Sequence, residues 1–335
     1  MKAYAPFACL LFAFLGDARA AAPLQTQSVQ THDPVIIREG GTYYLFATGN
    51  GISVHSSKDL RSWKDEPPVF ARAPEWTFTT VPGFKGHIWA PDISVKDGTF
   101  YLYYAISLGG KITSAIGVAT NRTLDRSSPQ FEWVDHGMVL QSVPGRDLWN
   151  AIDPQLVEDE QGTPWLAFGS FWSGLKLVKL QPDRLHVAEP QEWHALAKRE
   201  RSVLREDTDP EPAAIEAPFI FRTNDFYYLF VSWDYCCRGV RSNYKMVVGR
   251  SKNLKGPYVD RNRVEMTHGG GSLVLQGTKR WPGVGHNSAY TFDGKDYLVF
   301  HAYDADEGGT SKLQILEIEW DAAGWPVINP RRLAE

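Results

Sequence analysis

Cysteine is scarce in this chain, with three in 335 residues, one of them the N-terminal Cys9. The other two are the adjacent Cys236 and Cys237, which cannot tie distant segments together, so the fold must stand on its own core. The pair forms a strained vicinal disulfide or stays as two thiols, and the sequence leaves both open. An excess of one charge is also missing: 35 Lys and Arg stand against 39 Asp and Glu. A nucleic-acid partner normally requires a basic stripe, so it is not expected here. No C-x-x-C, H-E-x-x-H or P-loop pattern occurs, and helical periodicity is thin along the whole length. With 43% hydrophobic residues the chain is no disordered polymer, and its 29 Gly and 21 Pro show no collagen-like triplet period.

Aromatic residues are what the chain has in quantity: 12 Trp, 14 Tyr and 17 Phe. In a near-neutral protein they suit sugars, whose apolar C–H faces lie on aromatic rings while their hydroxyls take hydrogen bonds. The N-terminus reads as a secretory leader. Lys2 gives a positive start, Ala3 to Leu15 form an apolar stretch too short for a bilayer, and Ala18-Arg19-Ala20 fits the small-residue cleavage pattern. Cleavage is expected after Ala20, residues 1–20 forming the signal peptide. No later apolar run reaches membrane-spanning length, so the mature protein is expected to be secreted or periplasmic, without membrane contact, and a monomer.

A repeat organises the remainder. An aromatic-Leu phrase recurs at Tyr44-Leu45, Tyr101-Leu102, Trp165-Leu166, Tyr228-Leu229 and Tyr297-Leu298, with the leucines 57, 64, 63 and 69 residues apart. Four residues before each leucine stands a turn former: Gly41, Gly98, Gly162, Asp225 and Gly294. Each unit therefore reads as strand, tight turn, strand. Five such units of about 60 residues, each able to hold four strands, predict an all-β fold, a five-bladed β-propeller, as one domain over 25–335. A β-helix would repeat at shorter intervals, and a β-sandwich has no reason to repeat one phrase five times.

Counting back 12 or 13 residues from each leucine reaches the start of each unit's first strand. The residues there are His32-Asp33, Trp89-Ala90, Asp153-Pro154, Glu216-Ala217 and Gly285-His286. In a propeller the first strands line the axis, so Asp33, Asp153 and Glu216 are expected to meet at one end of the channel. Each alone reads as a strand-start acid capping nearby N–H groups. Three together suggest acid/base work on a glycosidic bond, in which a carboxylic acid protonates the departing oxygen and a carboxylate activates water.

The phrases Thr31-His32-Asp33-Pro34-Val35, Ile88-Trp89-Ala90-Pro91-Asp92, Asn150-Ala151-Ile152-Asp153-Pro154, Gly169-Ser170-Phe171-Trp172, Ile215-Glu216-Ala217-Pro218 and Gly285-His286-Asn287-Ser288 resemble those of the glycoside hydrolase family 43 arabinanases. The likeness runs through nearly the whole mature chain and includes the cysteine pair. It implies a secreted five-bladed propeller that cuts α-1,5-linked arabinan, the side chains of pectin, with inversion. It makes Asp33 the general base, Glu216 the general acid and Asp153 the group that orients the acid and adjusts its pKa. Sugar contacts are implied at Asp33, Trp89, Gly109, Asn150, Ala151, Ile152, Asp153, Ser170, Phe171 and Trp172, with Trp89 as a stacking platform. His286 is implied to approach a calcium ion on the axis, often through water.

Because the chain stops soon after the fifth unit, an open groove and endo attack are expected. A β-xylosidase, an exo-α-L-arabinofuranosidase, or a carbohydrate-binding propeller without catalysis are the alternatives. Asp92 is expected to point into structure, and Trp233 to belong to the core.

Overall fold

The computed structural model describes Met1 and residues 28–333, apart from 203, 207, 208 and 210–212. The expected leader and its cleavage site lie outside the described residues. Among the described residues five antiparallel blade sheets follow one another along the chain, and a small two-stranded sheet, Glu319–Trp320 with Pro326–Val327, comes after them. Blade 1 comprises Val35–Glu39, Thr42–Ala47, Ser53–Ser57 and Lys64–Glu66. Blade 2 comprises His87–Lys96, Thr99–Ile106, Ser114–Asn121 and Val134–Ser142, and Gly49–Asn50 pairs onto its first strand. Gln155–Glu158, Pro164–Phe168, Leu175–Lys179 and Trp193–Ala197 make blade 3. Ile215–Thr223, Phe226–Trp233, Lys245–Ser251 and Ser272–Gln276 make blade 4. Blade 5 has three strands, Val284–Phe292, Lys295–Asp304 and Thr310–Glu317.

The first strand of each blade touches that of the next, and the first strand of blade 5 returns to that of blade 1, which closes a ring. The structure is a five-bladed β-propeller. Blade 5 falls one strand short of the expected four, and the segment before blade 1 covers its open edge: Leu313 N–H donates to Val29 O at 2.9 Å and Thr31 N–H to Ser311 O at 3.2 Å. Pairing the two ends of the ring in this way satisfies edge groups that would otherwise stay open.

The aromatic-Leu phrase has a packing explanation. Among the described residues there are five hydrophobic clusters, one at each interface between neighbouring blades, and each holds one of the five leucines with no exposed surface. Successive strand residues face opposite ways. Each leucine therefore fills the interface with the preceding blade, while the aromatic before it faces the following one. Leu229 lies between blades 3 and 4, for example, and Tyr228 between blades 4 and 5. The turns also follow expectation in most blades. Asp97-Gly98, Asn224-Asp225 and Asp293-Gly294 each have positive φ at both positions, the tight turn that matches strand twist. In blade 1 the positive φ falls on Gly40 rather than Gly41, and in blade 3 the loop is longer.

Candidate active site

One backbone feature recurs in all five blades. At the start of the first strands Asp33, Ala90, Asp153, Ala217 and His286 have φ of 54°, 40°, 57°, 54° and 51°, a left-handed conformation that side-chain-bearing residues rarely adopt. The strand registers slip beside it in blades 2, 4 and 5. Each kink is held from the preceding blade in four of the five cases. Asp33 N–H donates to His301 Nδ1 at 3.1 Å, Ala90 N–H to Thr48 Oγ1 at 2.8 Å, Ala217 N–H to Asp153 Oδ2 at 3.0 Å and His286 N–H to Ser232 Oγ at 2.8 Å. The kink bends each strand start, and the acids there stand on a rigid frame.

Asp33 is buried, yet its carboxylate is surrounded by donors. Thr48 Oγ1 lies 2.5 Å from Oδ2, and His32 Nδ1 and His286 Nδ1 lie 2.7 Å and 3.0 Å from Oδ1. Burial works against the charge, but His286 and His32, by proximity and hydrogen bonding, hold the carboxyl well below the usual range. Asp33 is thus ionised at neutral pH. His301, fully buried, is pushed well below an ordinary imidazole, first by burial and then by His32, which agrees with its Nδ1 accepting from Asp33 N–H.

Glu216 accepts from Ser170 Oγ at 2.8 Å on one oxygen and from Tyr244 Oη at 2.7 Å on the other. Ser170 is also bridged to Glu216 through the backbone, which ties blade 3 to blade 4. Asp153, buried in the same pocket, is pushed up to about 8, mainly by burial, with Glu216 and Asp33 adding to the shift and His286 opposing it. In the free site the carboxyl that favours a proton is Asp153 itself. His286 is drawn up to about 9 because the charge of Asp33, with those of Asp153 and Glu216, outweighs its burial. The pocket thus holds one fixed carboxylate, one imidazolium and, in Asp153, a buried carboxyl that keeps its proton at neutral pH.

These groups line one cavity of about 1180 Å³, to which Asp33, Asp153, Glu216, His286, Trp89 and Ile152 all contribute. The family model described as Glycosyl hydrolases family 43 matches residues 26–326. The chain belongs to glycoside hydrolase family 43. Among similar proteins, an extracellular exo-alpha-(1->5)-L-arabinofuranosidase of Cellvibrio japonicus is 55% identical over 92% of this chain and 88% of its own. An extracellular endo-alpha-(1->5)-L-arabinanase of Bacillus subtilis is 38% identical over 88% of this chain and 86% of its own. A solved alpha-L-arabinanase of Cellvibrio cellulosa, complexed with arabinohexaose, superposes with a TM-score of 0.91 at 55% identity, covering 92% of this chain and 98% of that one.

Of the contacts expected in this family 43 chain, Asp33, Trp89, Ile152 and Asp153 face the cavity. The others are placed differently. Ala151 is fully buried, its N–H donating to Ser142 Oγ at 3.0 Å, so it presents no surface to a sugar. Asn150 is buried beside it and off the cavity lining. Ser170 is buried with its hydroxyl on Glu216, where it supports the acid. Trp172 is buried, and Phe171 packs near Tyr235 with ring centroids 6.1 Å apart; neither lines the cavity. Gly109 stands exposed in an open loop and does not line the cavity. Asp92 is buried and accepts from Leu156 N–H at 2.8 Å, and Trp233 packs against the core between blades 3 and 4, both as expected.

The supporting groups Thr48, Ser232 and His301 were not picked out from the sequence, yet they carry a signal: each stands three residues after its blade's repeat leucine. Cys236 and Cys237 form a disulfide and line the same cavity. His286 offers an ion one nitrogen, because Nδ1 is turned to Asp33, and among the described residues no group of three ligating side chains includes it. That donor set fits an ion held by water oxygens and no closed protein cage.

Proposed function

We propose that the chain hydrolyses α-1,5-linked arabinan outside the cell, with inversion at the anomeric carbon. The observation that carries the chemistry is the joint placement of Asp33, Asp153 and Glu216 on one cavity, with Asp33 held ionised by two imidazoles. The substrate rests on likeness to proteins named for that linkage, one of them solved with arabinohexaose. Asp33 takes a proton from water as it attacks, and Glu216 protonates the departing oxygen, with Asp153 beside it as the group that orients it. Asp33 and Glu216 stand on blades 1 and 4, with blade 5 between them, which supports the wide carboxyl spacing of roughly 6.5 to 9.5 Å that admits a water. Proton NMR of the first-formed sugar tests inversion: retained configuration overturns it.

For the mode of attack we favour release from a chain end, since the relative at 55% identity is named exo-acting and the one at 38% endo-acting. Endo attack, expected from the sequence, is the second reading. Product size against time on linear arabinan separates them, because early large fragments mean endo. Xylan and branched arabinan in the same assay test the substrate class.

Calcium near His286 is proposed as a water-held ion that adds positive charge to the axis. A proton on the His286 ring repels it, so its binding should strengthen with rising pH. Metal analysis and melting temperature before and after chelation test it, and an ion-free protein with an unchanged melting temperature overturns it.

A further inference from the structure

A line of donors runs from the disulfide to the proposed base. The N–H of Cys237, a residue held at φ 62°, donates to Tyr303 Oη at 2.8 Å. Tyr303 Oη lies 2.8 Å from His32 Nε2, and His32 Nδ1 lies 2.7 Å from Asp33 Oδ1. Each group can donate toward the carboxylate at once: peptide N–H to phenol oxygen, phenol O–H to Nε2, and Nδ1–H to Oδ1. Such a chain needs only one proton on the His32 ring, and each bond polarises the next. The ring has little freedom, since it stacks on His301 with centroids 3.8 Å apart. Cys237 Sγ lies 3.7 Å from His32 Nε2, so a thiol freed there could compete with Tyr303 for the ring.

We propose that Tyr303 and the Cys236–Cys237 disulfide turn are positioning elements for Asp33, acting through His32. The disulfide closes a small ring that fixes the direction of the Cys237 N–H, the N–H fixes the phenol, and the phenol fixes the imidazole that orients Oδ1. The inference rests on Asp33 being the base, and it adds a dependence of that base on an intact disulfide. The turn also lines the cavity, so an external reductant reaches it in the folded protein.

The test is a mutant cycle on kcat with arabinan: Tyr303→Phe, the pair Cys236→Ser with Cys237→Ser, and all three together, with Asp33→Ala alongside. Small displacements of a reacting group cost about tenfold to a hundredfold in rate. Tyr303→Phe and the double serine variant should each lose about that much in kcat while KM stays within about twofold. The triple variant should be no slower than the slower of the two, because one chain is broken once. A phosphine offers a route without mutation. It reduces the disulfide, taking oxygen from water and leaving two thiols and a phosphine oxide, and it should slow the wild type but not Tyr303→Phe. Losses that add, a change confined to KM, or wild-type kcat in Tyr303→Phe overturn the relay. If Asp33→Ala is inactive while the relay variants keep wild-type kcat, the relay alone fails. An active Asp33→Ala overturns both the relay and the assignment of the base.

Discussion

Thr48 Oγ1 lies 2.5 Å from Asp33 Oδ2 and itself accepts the N–H of Ala90 at 2.8 Å. One hydroxyl thus joins the kink of blade 2 to the carboxylate of blade 1. Thr48→Val keeps the shape, removes the donor to Asp33 and leaves the Ala90 N–H facing methyl groups. An unsatisfied buried donor costs about 1–3 kcal/mol, so both melting temperature and kcat should fall. Thr48→Ser should restore most of each. Wild-type melting temperature and kcat in the valine variant, with losses confined to the serine variant, would mean that the methyl matters and the hydroxyl does not.

Gly285 precedes the blade 5 kink, and a Cβ there would lie 2.2 Å from Cδ1 of Tyr244. That ring carries the hydroxyl bonded to Glu216 Oε1. Gly285→Ala must push it aside, so it should lower stability by about 1–3 kcal/mol and also weaken catalysis. Tyr244→Phe separates the two effects, since it loses the hydroxyl and keeps the fit. Activity assays beside thermal denaturation of both variants check this, and full activity in both would remove Tyr244 from the acid's support.

Asp153 gives stability a pH dependence of definite sign. Its folded pKa, about 8, lies above its ordinary 3.8, so between these values the folded chain holds a proton that the unfolded chain has released. Stability from this group is therefore full below about 3.8 and declines as pH rises toward 8. Asp33 works the other way: its depressed pKa contributes stability above the ordinary carboxylate range that is lost on acidification. Asp153→Asn removes the first effect alone. Its melting temperature relative to wild type should climb between about pH 5 and 8. A difference that stays flat would place the proton elsewhere.

The architecture was legible because its cause is local and repeated. Each leucine and its aromatic neighbour serve two blade interfaces, so the phrase recurs wherever a blade does. Counting from those leucines also found all three acids, since one bend at the start of the first strand sets every blade. What supports the acids was harder to see. His301 and Tyr303 lie far along the chain from Asp33 and His32 and meet them only when the ring closes. Ala151, Ser170 and Trp172 are buried, and Asp153, Phe171 and Trp172 have positive φ, local detail that alternation along a strand does not convey. The third strand of blade 5 pairs with Val29–Thr31 across most of the sequence, so no local pattern announces it.

The division of labour between Glu216 and Asp33 follows from the leaving group. Glu216 is proposed to protonate a sugar oxygen that departs poorly without help, so its loss should matter little when the leaving group is already acidic. Glu216→Ala should be nearly inactive on arabinan, by about two to four orders of magnitude, and recover much of that on an aryl arabino-oligosaccharide. No leaving group can stand in for activation of water. Asp33→Ala should stay inactive on both substrates and regain rate only with an added small anion such as azide, which enters where water would. The product then identifies the face of attack, since azide adds with inversion to give a glycosyl azide of opposite configuration. Asp153→Ala should slow both substrates, because it removes the acid proposed to orient Glu216 and the acceptor of the Ala217 N–H. If Asp33→Ala recovers with the aryl leaving group and Glu216→Ala with azide, the acid and the base exchange places.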